Sequence, residues 1–166
     1  MSGPRKRSLV QVRPVTSADG DAWLRMRCDL WPESSESDHG DEIGKFFAGQ
    51  LQQPLAALIA LSPSGHAVGF AELSIRTYAE DCVTDRVAYL EGWYVVSAAR
   101  RQGVGAALVR AAEDWARSQG CTEFASDALI DNAVSAAAHR ALGFQETVQI
   151  RCFRKVLKDG SIQQSD

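Results

Sequence analysis

The sequence predicts one mixed α/β (α+β) domain built on a single sheet, and three observations carry that prediction. Segments with strand-like and helix-like apolar spacing alternate along the chain instead of segregating into blocks. Pro63-Ser64-Gly65 sits between two apolar stretches as a hairpin turn would. A glycine-bearing turn from Arg100 to Ala106 joins a long Val- and Tyr-rich strand to a strongly amphipathic helix. The length of 166 residues suggests one domain spanning 1–166, with 1–7 and 159–166 as flexible tails.

Each element follows from its pattern. Leu9, Val10, Val12 and Val15 predict a first strand over Ser8–Val15, closed by Pro14 and by Ser17 as a helix cap. From Ala18 to Trp31, Trp23, Leu24, Met26, Cys28 and Leu30 fall at helical spacings, and Pro32 stops the helix. Glu33–Glu42 reads as an acidic loop, followed by a helix over Asp41–Leu51 with Ile43, Phe46, Phe47 and Leu51 inward. Leu55–Leu61 and Ala67–Arg76 form the hairpin, Tyr78–Arg86 a polar connection, and Val87–Val96 the long strand. The next helix runs to Ser118 on a stripe of Leu108, Val109, Ala112 and Trp115, and Gly120 ends it. Thr122–Ser126 is a short strand, Asn132–Leu142 a helix, and Gln145–Leu157 alternates as a final strand or hairpin.

Composition narrows the function. A chain 45% hydrophobic and 23% charged lies near the globular average, which excludes wholesale disorder. No apolar run approaches the roughly 20 residues of a membrane helix, and the basic N-terminus leads into an alternating strand instead of a signal-peptide block. A cytoplasmic location is the expectation. Cys28, Cys82, Cys121 and Cys152 are scattered, without a metal-ligand spacing, and are expected as free thiols without a bound metal. The net charge of −3 argues against nucleic acid and is compatible with a small cationic partner.

The sharpest local signal is Arg100-Arg101-Gln102-Gly103-Val104-Gly105-Ala106. Bare backbone at Gly103 and Gly105 admits a ligand closely, and the free N–H groups of a helix start favour a phosphate. The turn lacks the Gly-Lys-Ser/Thr ending of a P-loop and the third glycine of a dinucleotide fingerprint. A solvated helix start is the competing reading of the bare pattern.

In context the turn resembles the Arg/Gln-x-x-Gly-x-Gly/Ala motif of the GCN5-related N-acetyltransferases, the GNAT superfamily. A second block, Asn132, Ala136, Ala137, His139, Leu142, Gly143 and Phe144, is similar to that family's Asn…Ala…Tyr-x-x-x-Gly-Phe segment. Leu30-Trp31-Pro32, Ser74-Ile75-Arg76, Leu90-Glu91-Gly92 and Ala125-Ser126-Asp127 extend the likeness to the aminoglycoside 6'-N-acetyltransferase branch, over about Val12 to Lys155. The resemblance implies a GNAT fold: a mixed, mostly antiparallel central sheet splayed at its middle, with helices on both faces. It implies direct acetyl transfer from acetyl-CoA to the 6'-amine of an aminoglycoside in a ternary complex, with antibiotic resistance as the consequence. It also implies a homodimer, without metal or membrane involvement. An acetyltransferase for another small amine or protein amino group is the alternative, and an inactive acetyl-CoA-binding module is another.

The resemblance assigns Arg101, Gln102, Gly103, Val104, Gly105, Ala106 and Asn132 to acetyl-CoA, with backbone donors around Trp93, Tyr94 and Val95 polarising the thioester. Trp31, Tyr78, Glu91 and Asp127 are expected to bind the aminoglycoside, the aromatics by packing on sugar rings and attracting ammonium groups. Glu91, Asp127 and His139 are the expected catalytic residues. A carboxylate in the middle of an apolar strand is costly without a purpose, and Glu91 suits an ammonium that must lose its proton. Its structural alternative is an ion pair with Arg76; that of Asp127 is an N-cap for the following turn. His139 stands where many relatives carry a Tyr facing the departing sulfur, and a packed, hydrogen-bonded His is its alternative. Val148 replaces a Glu common in that branch, and Glu146 would face the other way on a strand. Acids from Glu33 to Glu42, with Glu80, Asp81 and Asp85, are expected to attract a polycation.

Overall fold

The computed structural model describes residues 10–157; the two expected tails and the start of the first strand lie outside them. Five strands form one sheet in chain order: β1 (Gln11–Pro14), β2 (Ala56–Leu61), β3 (Ala67–Arg76), β4 (Val87–Val95) and β5 (Phe124–Ser126). The first three pairings are antiparallel and β4–β5 is parallel, so the sheet is mixed and mostly antiparallel as expected. Four helices complete the chain: α1 (Gly20–Leu30), α2 (Glu36–Phe47), α3 (Val104–Ser118) and α4 (Ala133–Ala141).

Two apolar layers flank the sheet. Leu58, Ala60, Ala71, Leu73 and Leu90 meet Val104, Leu108, Val109 and Ala112 of α3 on one face. Trp23, Met26 and Ile43, from α1 and α2, meet Ala57, Ile59 and Phe70 on the other. A short helical turn at Ser17–Asp19 leads into α1, pinned where Arg13 donates to both Asp19 oxygens at 2.7 and 2.9 Å. That pair holds the Asp19 carboxyl down at about 2.

Two elements differ from expectation. The helix predicted over Asp41–Leu51 starts earlier, because Ser35 accepts from the Asp38 N–H and caps it; Glu36, Asp38, Asp41 and Glu42 are therefore helical. The early start also buries His39. The strand predicted over Gln145–Leu157 does not form, and those residues lie as an exposed arm. Alternation makes a strand only beside a partner, and β5 offers three residues of edge. The opening expected in the middle of the sheet therefore falls between β4 and its short edge strand β5.

Candidate active site

The site is organised by one irregularity in β4. Glu72 lies opposite Gly92 and Leu73 opposite Leu90, so Glu91 is an extra residue, a bulge. Leu90 and Trp93 point into the α3-side core, while Glu91 and Gly92 share the α1–α2 side. Gly92 must be bare: a Cβ there would lie 2.6 Å from the Trp31 ring. Thus Trp31, at the end of α1, lies against β4 beside Glu91.

Around Glu91 the sheet supplies a polar cluster. Ser74 donates its hydroxyl to Glu91, and Arg76 grips both carboxylate oxygens, Nε at 3.0 Å and Nη2 at 2.6 Å. The Arg76 guanidinium also covers the Tyr89 ring at 3.5 Å. Tyr89 is buried and donates to Asp127 at 2.8 Å. Burial first, then the Asp127 carboxylate, holds the Tyr89 proton above the usual phenol range. Asp127 is exposed, just past β5, and caps no helix among the described residues. The sequence named Glu91, Arg76 and Asp127 but missed Ser74 and Tyr89. Counting alternate residues on a hairpin partner would have found Ser74, one face with Arg76.

Tyr78 stands 67% exposed on the connection between β3 and β4, beside a shallow hollow shared with Gln53 and Arg76. Glu123 anchors that connection, accepting from the Thr84 N–H at 2.8 Å and hydroxyl at 2.6 Å. Behind Trp31 lies a buried network absent from the sequence reading. Glu72 accepts from Trp23 Nε1 at 2.9 Å and pairs with Arg27 at 3.1 Å, and Arg27 also reaches Glu42. Arg27 sits 5.2 Å from the Trp31 ring, and His39 stacks on that ring. Burial pushes the Glu72 carboxyl up to about 7 against the pull of Arg27.

The other side of β4 is built differently. Ladder pairing with β5 ends at Leu90 and Ser126, yet β4 runs on to Val95. Its edge from Glu91 to Val95 has no strand beside it among the described residues. Next to it α3 begins. Ser35 caps α2 and Asn132 caps α4, but no side chain caps α3. Its first N–H groups therefore have no side-chain cap, at the positive end of the helix dipole. Gly103 supplies the left-handed turn with φ of 84°, and Arg101 shares that region at 59°. Gly105 has a further role: a Cβ there would lie 2.9 Å from Trp93. The bare backbone thus serves turn geometry and packing, besides close approach. Arg100 donates to the Val95 carbonyl and Gln102 to that of Ala98, both at 2.9 Å, which stiffens the turn. Val104 is buried, whereas Arg101, Gln102 and Gly103 are exposed and Ala106 half-buried at the helix start.

His139, from α4, packs on the α3 side of the sheet. Its Nδ1 lies 2.8 Å from the Ser135 carbonyl and its Nε2 2.9 Å from Ser126 Oγ, while its ring meets Trp93 edge-on. Both nitrogens are engaged, so the packed, hydrogen-bonded arrangement is realised here. Asn132 accepts from the Ser135 N–H at 3.0 Å as the α4 cap. Tyr94 donates to Asp29 at 3.2 Å. Glu146 pairs with Arg140, and Val148 lies exposed on the arm. No cluster of metal-ligating side chains occurs among the described residues.

In this mixed sheet the fourth and fifth strands part beside an uncapped, glycine-led helix. Residues 21–144 match the acetyltransferase (GNAT) family, and the chain belongs to that family. It is 59% identical over 146 residues to the aminoglycoside N(6')-acetyltransferase type 1 of Klebsiella aerogenes, covering 88% of this chain and 96% of that protein. The enzyme of the same name from Acinetobacter haemolyticus is 43% identical, with 88% and 98% covered. Among solved structures, AAC(6')-Iy in complex with the bisubstrate analog CoA-S-monomethyl-acetylneamine superposes with a TM-score of 0.82 at 32% identity, covering 90% of this chain and all of that one. AAC(6')-IG from Acinetobacter haemolyticus superposes with a TM-score of 0.81 at 41% identity, covering 89% and 99%.

Proposed function

We propose that this protein is an acetyl-CoA-dependent aminoglycoside 6'-N-acetyltransferase. The observation that carries the reading is the 59% identity, over 88% of the chain, to an enzyme of that name. The two sides of β4 support it with complementary chemistry. The start of α3, from Arg101 to Ala106, takes the pyrophosphate of acetyl-CoA, and Asn132 faces its pantetheine arm. Free N–H groups of the β4 edge around Trp93, Tyr94 and Val95 polarise the thioester carbonyl. Across the strand, Glu91 and Asp127 attract the aminoglycoside's ammonium groups, and Trp31 and Tyr78 pack on its rings.

Transfer is direct. Glu91 holds the 6'-ammonium and takes its proton, directly or through water. The neutral nitrogen attacks the thioester carbon, the carbon–sulfur bond breaks, and the proton the nitrogen still has to shed passes to the departing sulfur, giving the amide and free coenzyme A thiol. Both nitrogens of His139 are occupied by protein partners, so its part is to hold Ser126 and α4 against β4. The product, an amide in place of a cation, explains how such a reaction would confer antibiotic resistance.

We place the reaction in the cytoplasm, where acetyl-CoA is made and kept; among the described residues no helix is long and apolar enough to cross a membrane. We further propose a homodimer. The arm after α4 exposes Val148, Ile150, Phe153, Val156 and Leu157, and a second copy is the partner that supplies an equivalent strand edge. Light scattering of the purified chain should give twice the monomer mass, and a monomer at micromolar concentration would overturn this.

The reading is tested by thiol release from acetyl-CoA with kanamycin, tobramycin and a kanamycin analogue lacking the 6'-amine. We expect turnover with the first two and none with the third. Equal turnover with the analogue would move the acceptor nitrogen elsewhere.

A further inference from the structure

We propose that Arg76 is a resident stand-in for the substrate's ammonium, displaced when a polycationic acceptor binds, and hence a specificity-determining residue of the acceptor site. The inference rests on the aminoglycoside reading above and adds to it what the site refuses. Two features recognise an alkylammonium: a carboxylate and an aromatic face. In this protein the Glu91 carboxylate and the Tyr89 face converge on one point, and the Arg76 guanidinium already occupies it, bonded to both Glu91 oxygens and 3.5 Å from the Tyr89 ring centre. With Arg76 on both oxygens and Ser74 also on Oε1, a second cation at Glu91 meets the like-charge repulsion of the first.

The placement of the three side chains decides which one moves. Tyr89 is paired within β4 and Glu91 is the bulge between paired Leu90 and Gly92, and Ser74 keeps a separate hydrogen bond on Glu91 that survives without Arg76. Arg76 is the last residue of β3, its side chain is 32% exposed against 17% for Glu91, and it borders the open hollow beside Tyr78. Its guanidinium can rotate towards that hollow and regain the hydration that burial over Tyr89 removes. Displacement therefore opens a ready-made ammonium pocket at the cost of one partly exposed ion pair. A polycation meets that cost with its other charges, drawn by Asp127 and the acidic face of α2. A singly charged amine has no such surplus. Arg76 thus biases the enzyme towards polyamines and against the many monoamines a cell contains.

The test uses Arg76→Met, Arg76→Gln and the parent enzyme, with acetyl-CoA affinity and thermal midpoint as folding controls. Removing the guanidinium should lower KM for kanamycin about threefold, the scale of a partly exposed ion pair. It should also give measurable acetylation of a monoamine such as 6-amino-6-deoxyglucose. Guanidinium chloride should inhibit the variants competitively against kanamycin, at a concentration that leaves the parent unaffected, because it refills the vacated position. In the parent, saturating kanamycin with coenzyme A should shift the Arg76 Nε–H resonance towards that of a solvated arginine. A raised KM in both variants, with guanidinium restoring activity, would overturn the proposal and make Arg76 a positioning residue for Glu91. An Arg76 resonance unmoved by kanamycin in an active parent would overturn it without any variant. A parent that transfers no acetyl to kanamycin would instead sink the functional reading itself.

Discussion

The two sides of β4 solve opposite problems. On the α3 side the protein leaves groups unpaired, an uncapped helix and a β4 edge without a neighbour among the described residues, beside a turn held rigid by its own side chains. On the α1–α2 side almost every polar group has a protein partner: Glu91 with Arg76 and Ser74, Asp127 with Tyr89, Glu72 with Arg27 and Trp23. On the proposed function, the difference follows from the ligands. Backbone N–H groups awaiting an anion are individually cheap to leave in water, so that side can stand open. Carboxylates awaiting a cation beside an apolar sheet are costly to leave bare, so that side satisfies them internally.

Substitutions on each side can break this contrast. The largest effect is expected at Glu91. Glu91→Gln keeps the shape but removes charge and basicity, and turnover at saturating aminoglycoside should fall by roughly 10²-fold. Higher pH should partly rescue it, since more of the amine is then neutral without help. Steady-state kinetics across neutral and alkaline pH would show this, and a profile matching the parent would move the base to Asp127 or a water chain. Next comes Gly105→Val, whose Cβ would meet Trp93 at 2.9 Å and tilt the start of α3. Calorimetry should show acetyl-CoA Kd rising by about tenfold, equal to about 1.4 kcal/mol, with aminoglycoside affinity little changed. A matching loss for both ligands would mean that the two sides are not separable.

Smaller effects sharpen the comparison. Neutralising Glu36, Asp38 and Asp41 together should flatten the salt dependence of the aminoglycoside KM while leaving that of acetyl-CoA intact, since exposed charges are screened within about 10 Å. An unchanged slope would make the start of α2 a solvated surface only. The buried pair behind Trp31 predicts a stability effect confined to the acceptor side. The Glu72 carboxyl is raised from 4.5 to about 7, so the folded state binds its proton more tightly than the unfolded chain does. Its contribution to stability is full below 4.5 and is lost as pH rises through about 7. Melting temperature against pH should show that decline, and Glu72→Gln should remove it.

The same contrast governs how much the sequence disclosed. The anion side is local in the chain: strand, turn and helix are consecutive, so Gly103, Gly105 and the helix start are readable from Arg100 to Ala106 alone. The cation side draws on α1, β3, β4 and β5, and its geometry depends on a bulge that no periodicity announces. Strict alternation would put Glu91 and Trp93 on one face, whereas the extra residue sends them to opposite cores. Arg27, His39 and Glu72 escaped notice because a charged residue on an amphipathic helix or strand normally faces water. The strand predicted after α4 fails to form for another reason. Val148, Ile150 and Cys152 alternate, but alternation specifies a face and not the partner that must stand beside it.

The central claim is that one nitrogen, the 6'-amine, receives the acetyl group directly from acetyl-CoA. The most direct measurement supplies acetyl-CoA carrying carbon-13 in its acetyl group, together with kanamycin, and locates the label by NMR of the product and mass spectrometry of the protein. The account predicts all transferred label as an amide on the 6'-nitrogen and none on the protein. Label on another amine of the drug, or an acetylated protein that passes its label on to kanamycin, would contradict it.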